Sequence, residues 1–293
     1  IQIFEKVEEL GYSVGCISPM NAVNRLKNPT FFIPDPWTNT KSDPSFVSRE
    51  LHEALRQAVN DNSQEKLSFR TILSIIFCFV LYARKRNIFL YTKLFLKRKK
   101  RWNKALFLDL FLTDLYIHKY KTSSTRFGTL FLNAFAHIQH HYFLNSKYSS
   151  IEVKNTSEYI SADDDPVKDA VEVYDVIIKQ LLNLNTHKNI FATGLRQLPV
   201  KKKIIYYRLK NHDEFLKLCG LKSFVVEPRM TRDFKISFHN ARARKDGEQI
   251  LSKLTCNGEK LFGVIDKRAD STFCTLTYSV PLTDDIKMDV KGK

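Results

Sequence analysis

The sequence lacks the short signatures of several common enzyme classes. Its 293 residues contain no G-x-x-x-x-G-K-[ST], no G-x-G-x-x-G, no G-x-S-x-G and no H-E-x-x-H pattern. P-loop kinases, Rossmann dehydrogenases, serine esterases and zincin metalloproteases therefore lose their usual support.

Cysteines and long apolar runs are also scarce. The five cysteines lie far apart and form no C-x-x-C pair, which argues against a zinc knuckle or a disulfide framework and indicates a reducing, cytoplasmic compartment. The longest apolar run, residues 71–83, is bracketed by Arg70 and Arg84. It is shorter than the ~20 residues of a membrane-spanning helix, so we expect a buried helix.

The first residues carry acidic side chains and no basic-then-apolar leader, so we expect no signal peptide here and a chain that starts within a domain.

Acidic residues are outnumbered by basic ones. Asp and Glu total 31 against 47 Lys and Arg, which gives a formal net charge of +16. This balance favours an anionic partner: nucleic acid, a phospholipid surface, or a phosphorylated or sulfated substrate. Nucleic acid has the least support of the three, because no recognition helix, zinc or RNP-type signature accompanies the charge.

The hydrophobic content and the order of strand and helix patterns predict a folded α/β protein. Hydrophobic residues make up 43% of the chain and aromatic residues 12%, enough apolar surface for a compact core. The alternation of strand and helix patterns indicates a doubly wound, mostly parallel sheet with an antiparallel edge. Residues 46–120 have helical periodicity, so we expect a helical insertion in an α/β domain made of residues 1–45 and 121–293. The predicted strands are 13–18, 129–135, 189–193, 204–209, 223–227, 234–238, 261–266 and 273–278, and the proline-rich stretch 28–44 is expected to be an ordered loop.

Histidines cluster in the stretch NAFAHIQHHY, from Asn133 to Tyr142, where a predicted strand ends and a helix begins. Ligands of doubly wound sheets bind at this carboxyl edge. On a helix, His137 and His141 project from one face, with His140 about 60° away from His137. Such imidazoles suit zinc or a similar divalent metal. The alternatives are hydrogen bonds at a helix start, or cationic lining of a phosphate pocket.

The segment RMTRDF between two predicted strands is a candidate anion site. Arg229 and Arg232 can hold a phosphate or sulfate while Asp233 orients it, or the same residues can form an inter-strand salt bridge. After the second of these strands, His239 is a candidate for metal binding or acid-base chemistry, or else a structural histidine.

The segment TGLRQ follows the predicted strand 189–193. Its glycine exposes backbone beside an arginine, so Thr193, Arg196 and Gln197, together with Asn133, are candidate substrate contacts. A plain exit from a strand explains the glycine equally well.

Two basic clusters occur at residues 83–87 (ARKRN) and 97–101 (KRKKR). They are either solvated helix ends, where cations suit the helix dipole, or a patch for a lipid surface or another polyanion.

The order of these elements resembles the type I phosphodiesterase and nucleotide pyrophosphatase branch of the alkaline phosphatase superfamily. Residues 11–24 (GYSVGCISPMNAVN) are similar to a helix–strand step in which those enzymes place a variable loop. Residues 34–37 (PDPW) are similar to the stretch that follows this step. NAFAH resembles the family's Asp-x-x-x-His metal motif, with Asn133 where the carboxylate would be. The helix with Tyr174 and Asp175 and the strand 189–193 resemble those that lead to the family's Asp-His pair, but Thr193, Gly194 and Leu195 occupy its place.

The resemblance implies a metal-dependent hydrolase or transferase that acts on a phosphate or sulfate ester of a small molecule, glycan or lipid. In that family two metal ions about 4 Å apart activate the nucleophile and clamp the transferred group. The first Asp and the Ser or Thr nucleophile would precede Ile1, so at most one metal position is expected here, from His137, His141 and His239. The alternative is a catalytically inactive relative that keeps an anion pocket and docks on a membrane surface through Lys97–Arg101.

Overall fold

The computed structural model describes residues 1–60, 68–157, 159–184, 188–194, 198, 205–229, 231–282 and 288–290. Contacts divide the chain into two compact units, Ile1–Lys201 and Lys202–Lys293. These boundaries differ from the expected ones, because the helices of residues 46–120 share a unit and a core with the N-terminal strands.

The first unit combines a small parallel sheet with a group of helices. Its elements are α1 (Ile3–Glu9), β1 (Val14–Ile17), β2 (Phe31–Ile33), α2 (Phe46–Asn60), α3 (Phe69–Tyr82), α4 (Ile88–Leu96), α5 (Arg101–Thr122), β3 (Phe127–Leu130), α6 (Ala134–Tyr142) and α7 (Pro166–Leu182). Local signals set several helix ends. Gly11 follows α1 with a φ of 83°, and the Asp165 side chain accepts a hydrogen bond from the Lys168 backbone at the start of α7.

The parallel sheet has the order β2-β1-β3. β2 lies inside the stretch expected to be a loop, and all three of its residues are buried. Asp43 completes the outer edge of β2: its backbone N–H donates to the Phe32 carbonyl over 2.8 Å, and its carboxylate accepts from the Phe32 N–H over 2.7 Å. A short edge strand can form here because Asp43 satisfies the backbone groups that a neighbouring strand would otherwise pair.

Helix α5 is the centre of the helical packing, and twelve of its residues are buried. Its Asp114 accepts hydrogen bonds from the Arg84 backbone N–H, the Asn87 amide and the Tyr91 hydroxyl over 2.7–2.8 Å. Burial raises the pKa of Asp114, and these donors oppose the shift. One buried carboxylate thus fixes the turn between α3 and α4 against α5.

The second unit is mainly antiparallel and has its own core. Its elements are α8 (His212–Leu218), β4 (Phe224–Pro228), β5 (Asp233–Phe238), α9 (Ala241–Lys253), β6 (Leu254–Cys256), β7 (Glu259–Lys260), β8 (Phe262–Lys267), β9 (Ser271–Leu276) and β10 (Met288–Val290). The strands form two sheets, with the orders β4-β5-β9-β8 and β10-β6-β7. In β5, Phe234, Ile236 and Phe238 are buried in alternation with partly exposed residues, the period of a strand with one covered face.

The α/β class is confirmed, but several sequence predictions are corrected. The described strands form one parallel and two antiparallel sheets, not a single mostly parallel one. The prediction of a strand at residues 189–193 is wrong, since residues 188–194 are exposed and contain no strand. The strand predicted at residues 204–209 is also absent from its described residues, 205–209. Strand propensity is a weak local signal that packing overrides.

The helix expected to be buried is covered on one side only. Thr71 and Cys78 of α3 are buried, whereas Val80 is 75% exposed. Within the part of the chain described, no helix has both the length and the apolar character to cross a bilayer.

Candidate functional site

The three parallel strands end at one edge of the sheet in the first unit. Ser18, which follows β1, has a φ of 55° and donates its backbone N–H to the Ile33 carbonyl over 2.7 Å. After β3, the Phe131 N–H donates to the Ile17 carbonyl over 3.0 Å. A link of three residues then leads from β3 into α6, which carries the histidines.

Asp109 of α5 holds the start of α6. Its carboxylate accepts hydrogen bonds from the backbone N–H groups of Asn133 and Ala134, the latter over 2.8 Å, and from the Tyr174 hydroxyl of α7. Burial raises the pKa of Asp109 to about 6, although these donors lower it. The carboxylate satisfies N–H groups that a helix start leaves unpaired. Asp109, and not the Asn133 side chain, therefore caps α6.

His137 and His141 lie on one face of α6, as the sequence predicts, and their ring centroids are 4.5 Å apart. The Nδ1 atom of His141 is 2.6 Å from the Tyr159 hydroxyl. Both residues are exposed overall, but partial burial of the rings, followed by the charge of His140, lowers the pKa of His137. Burial, followed by the charges of His137, His140 and Arg101, lowers the pKa of His141 to about 4. Both imidazoles are therefore neutral at neutral pH, the form that binds metal ions.

A guanidinium from the basic cluster 97–101 accompanies this pair. The charge of Arg101, the first residue of α5, contributes to the lowered pKa of His141. The next residue, Trp102, packs edge-on against Tyr142 of α6, with ring centroids 5.2 Å apart. Packing of α6 on α5 thus brings together histidines and arginine that are far apart in sequence.

In the described residues, no group of three or more His, Cys, Asp or Glu side chains is placed to hold a metal ion. His137 and His141 can supply two imidazole ligands. His239 belongs to the second unit, where it is exposed and precedes Asn240, whose side chain caps α9 by accepting from the Ala243 N–H over 2.8 Å. The described residues therefore fit part of a metal site, with further ligands still required.

The candidate anion site of the sequence lies at the turn between β4 and β5, in the second unit. Arg229 forms an ion pair with Glu227 over 3.2 Å, and the Arg232 guanidinium lies 4.4 Å from the centre of the Tyr206 ring. The Asp233 carboxylate accepts a hydrogen bond from a threonine hydroxyl over 2.7 Å. The arginines and the aspartate thus have separate partners in this hairpin.

Of the candidate substrate contacts, Asn133 lies at the start of α6 and is partly exposed, and Thr193 is exposed. Arg196 and Gln197 lie outside the described residues.

Neither a protein family, nor a curated protein, nor a solved structure matches this chain. Any functional assignment must therefore come from the residues and their geometry.

Two polar residues at the same edge of the sheet were not among the residues predicted from the sequence. Asp35 is fully buried and accepts hydrogen bonds from the backbone N–H groups of Asn21, Trp37 and Thr38 over 2.8–3.0 Å. His52 of α2 is buried; burial and then a nearby arginine lower its pKa, and its Nε2 atom has no hydrogen-bond partner among the described residues. A carboxylate two residues after the apolar run TFFI was the available signal for Asp35, whereas nothing local distinguished His52.

Proposed function

We propose that this chain is a metal-dependent hydrolase or transferase for a phosphate or sulfate ester, whose first unit carries the doubly wound, alkaline-phosphatase-like part of the fold. One observation carries the proposal: two adjacent neutral imidazoles, His137 and His141, share one face of a helix that leaves the carboxyl edge of a parallel sheet. The charge of Arg101 also acts on His141. Imidazoles are ligands of zinc-type ions, and a guanidinium matches the charge and geometry of a phosphate or sulfate.

Each residue has a distinct role in this proposal. His137 and His141 hold one divalent metal ion, which when bound acts as a Lewis acid toward an ester oxygen. The contact of Tyr159 with Nδ1 orients the His141 ring and leaves Nε2 for the metal. Arg101 neutralises charge on the ester, and Asp109 positions α6.

Metal binding tests the proposal most directly. We expect His137→Ala and His141→Ala each to lower the Zn²⁺ affinity of the chain at least about tenfold in calorimetric titration. The matched control is His118→Ala, an exposed histidine on α5 that packs edge-on against Tyr82, and it should bind like the wild type. Turnover of bis(p-nitrophenyl) phosphate or p-nitrophenyl sulfate by the full-length protein should fall with the affinity. A full-length protein that binds no divalent metal would contradict the proposal.

A catalytically inactive, anion-binding relative is the second candidate, because the described residues assemble no three-ligand metal group. It predicts that Arg101→Ala weakens sulfate or phosphate binding, while His137→Ala leaves it unchanged. Lys104→Ala, an exposed cation on the first turn of α5, is the control for charge alone.

A further inference from the structure

Helices α3 and α4 each leave an apolar side exposed on the first unit. The exposed apolar residues of α3 recur at helical spacing and are Phe69, Ile72, Leu73, Ile76, Phe77, Val80 and Leu81. Those of α4 are Ile88, Phe89, Phe95 and Leu96. We call these eleven residues the α3–α4 face. Exposed apolar surface of this extent marks an interaction site in most proteins.

The opposite sides of the two helices are already used for packing. Phe79 of α3 and Tyr91 of α4 contact each other, with ring centroids 4.9 Å apart, and both contact Phe107 of α5. The α3–α4 face is therefore the side of these helices that the described core leaves uncovered.

Basic residues border this face, and acidic residues are missing from its sequence. No Asp or Glu occurs between Glu65 and Asp109. Lys85 and Arg86 at the turn between the helices are exposed, as are residues 97–99 after α4. The Arg98 guanidinium lies 4.5 Å from the centre of the exposed Phe95 ring, so charge and apolar surface are in direct contact.

We propose that the α3–α4 face docks on the surface of an anionic phospholipid bilayer. The apolar side chains enter the boundary between headgroups and acyl chains, while the surrounding cations contact lipid phosphates, as in interfacial amphipathic helices. A second copy of the chain is a poorer occupant, because two such faces would bring together the exposed cations at residues 85, 86 and 97–99. This inference does not depend on the proposed ester chemistry.

Flotation of the full chain with vesicles tests the inference. We expect binding to vesicles of phosphatidylcholine mixed with phosphatidylserine, and much weaker binding to phosphatidylcholine alone. The double variant Val80→Glu/Phe89→Glu should lower binding at least about tenfold, since two apolar contacts are lost and two charges are added. Its matched control, Leu218→Glu/Val225→Glu, changes two equally exposed apolar residues of the second unit and should bind within about twofold of the wild type.

The cations are tested separately. Lys97→Gln/Arg98→Gln/Lys99→Gln should weaken binding and reduce its sensitivity to salt, because fewer lipid charges are neutralised. The control triple Lys222→Gln/Lys253→Gln/Lys260→Gln removes three exposed cations of the second unit and should have little effect. Circular dichroism checks that every variant is folded.

Three results would overturn the inference. The first is a wild-type chain that fails to float with phosphatidylserine vesicles. The second is equal binding by Val80→Glu/Phe89→Glu and the wild type. The third is a concentration-dependent dimer that this double variant abolishes without any vesicle binding, which would assign the face to a second copy.

Discussion

At the scale of single residues, Asp109 makes the sharpest thermodynamic prediction. Burial raises its pKa from 3.8 to about 6 in the folded chain, so the folded state retains a proton that the unfolded state has already lost. Its contribution to stability is full below pH 4 and is lost as the pH rises through 6. We expect this loss to amount to about 3 kcal/mol in the free energy of unfolding.

The comparison with Asp109→Asn isolates this effect, since asparagine keeps an oxygen acceptor but does not titrate. Urea unfolding between pH 4 and 8 should show the wild type losing stability relative to the variant up to about pH 6–7, then a constant difference. A wild type that instead gains on the variant as the pH rises would mean that the helix start and Tyr174 stabilise the carboxylate more than burial penalises it.

At the scale of elements, the sequence predicted what local signals determine. The spacing of His137 and His141 placed both rings on one helix face. The effect of the Arg101 charge on His141 could not be predicted, because it depends on the packing of α6 against α5. Similarly, an apolar run identifies α3 as a helix but does not indicate which of its faces is covered.

Strand β2 illustrates the same limit and gives a second prediction. Its buried Phe32 N–H depends on the Asp43 carboxylate, eleven positions later in the sequence. Asp43→Ala should lower the free energy of unfolding by about 1–3 kcal/mol, because a buried donor loses its acceptor. Asp43→Asn, which keeps an oxygen at that position, should cost less in urea denaturation. Equal losses for the two variants would show that the negative charge, not the acceptor, matters.

At the scale of the whole molecule, the sequence predicted the α/β class but not the division into two units. Alternating strands and helices suggested one sheet across residues 1–45 and 121–293, because periodicity identifies strands without identifying their neighbours. The register of β5 with β4 and β9 is antiparallel and lies entirely within residues 202–293. The strands of this sheet therefore pair only with other strands of the second unit.

Residues 202–293 should therefore fold without the rest of the chain. Their core is built from their own helices and strands, with Phe234 fully buried between His212 and Phe262 at ring distances of 5.3 and 5.6 Å. We expect a single cooperative unfolding transition for the isolated segment by circular dichroism and fluorescence. Phe234→Ala should destabilise it by about 3–5 kcal/mol through the cavity it leaves. Val225→Ala, at a residue 65% exposed on β4, should change the stability little. An isolated segment without cooperative unfolding would mean that its core requires contacts from the first unit.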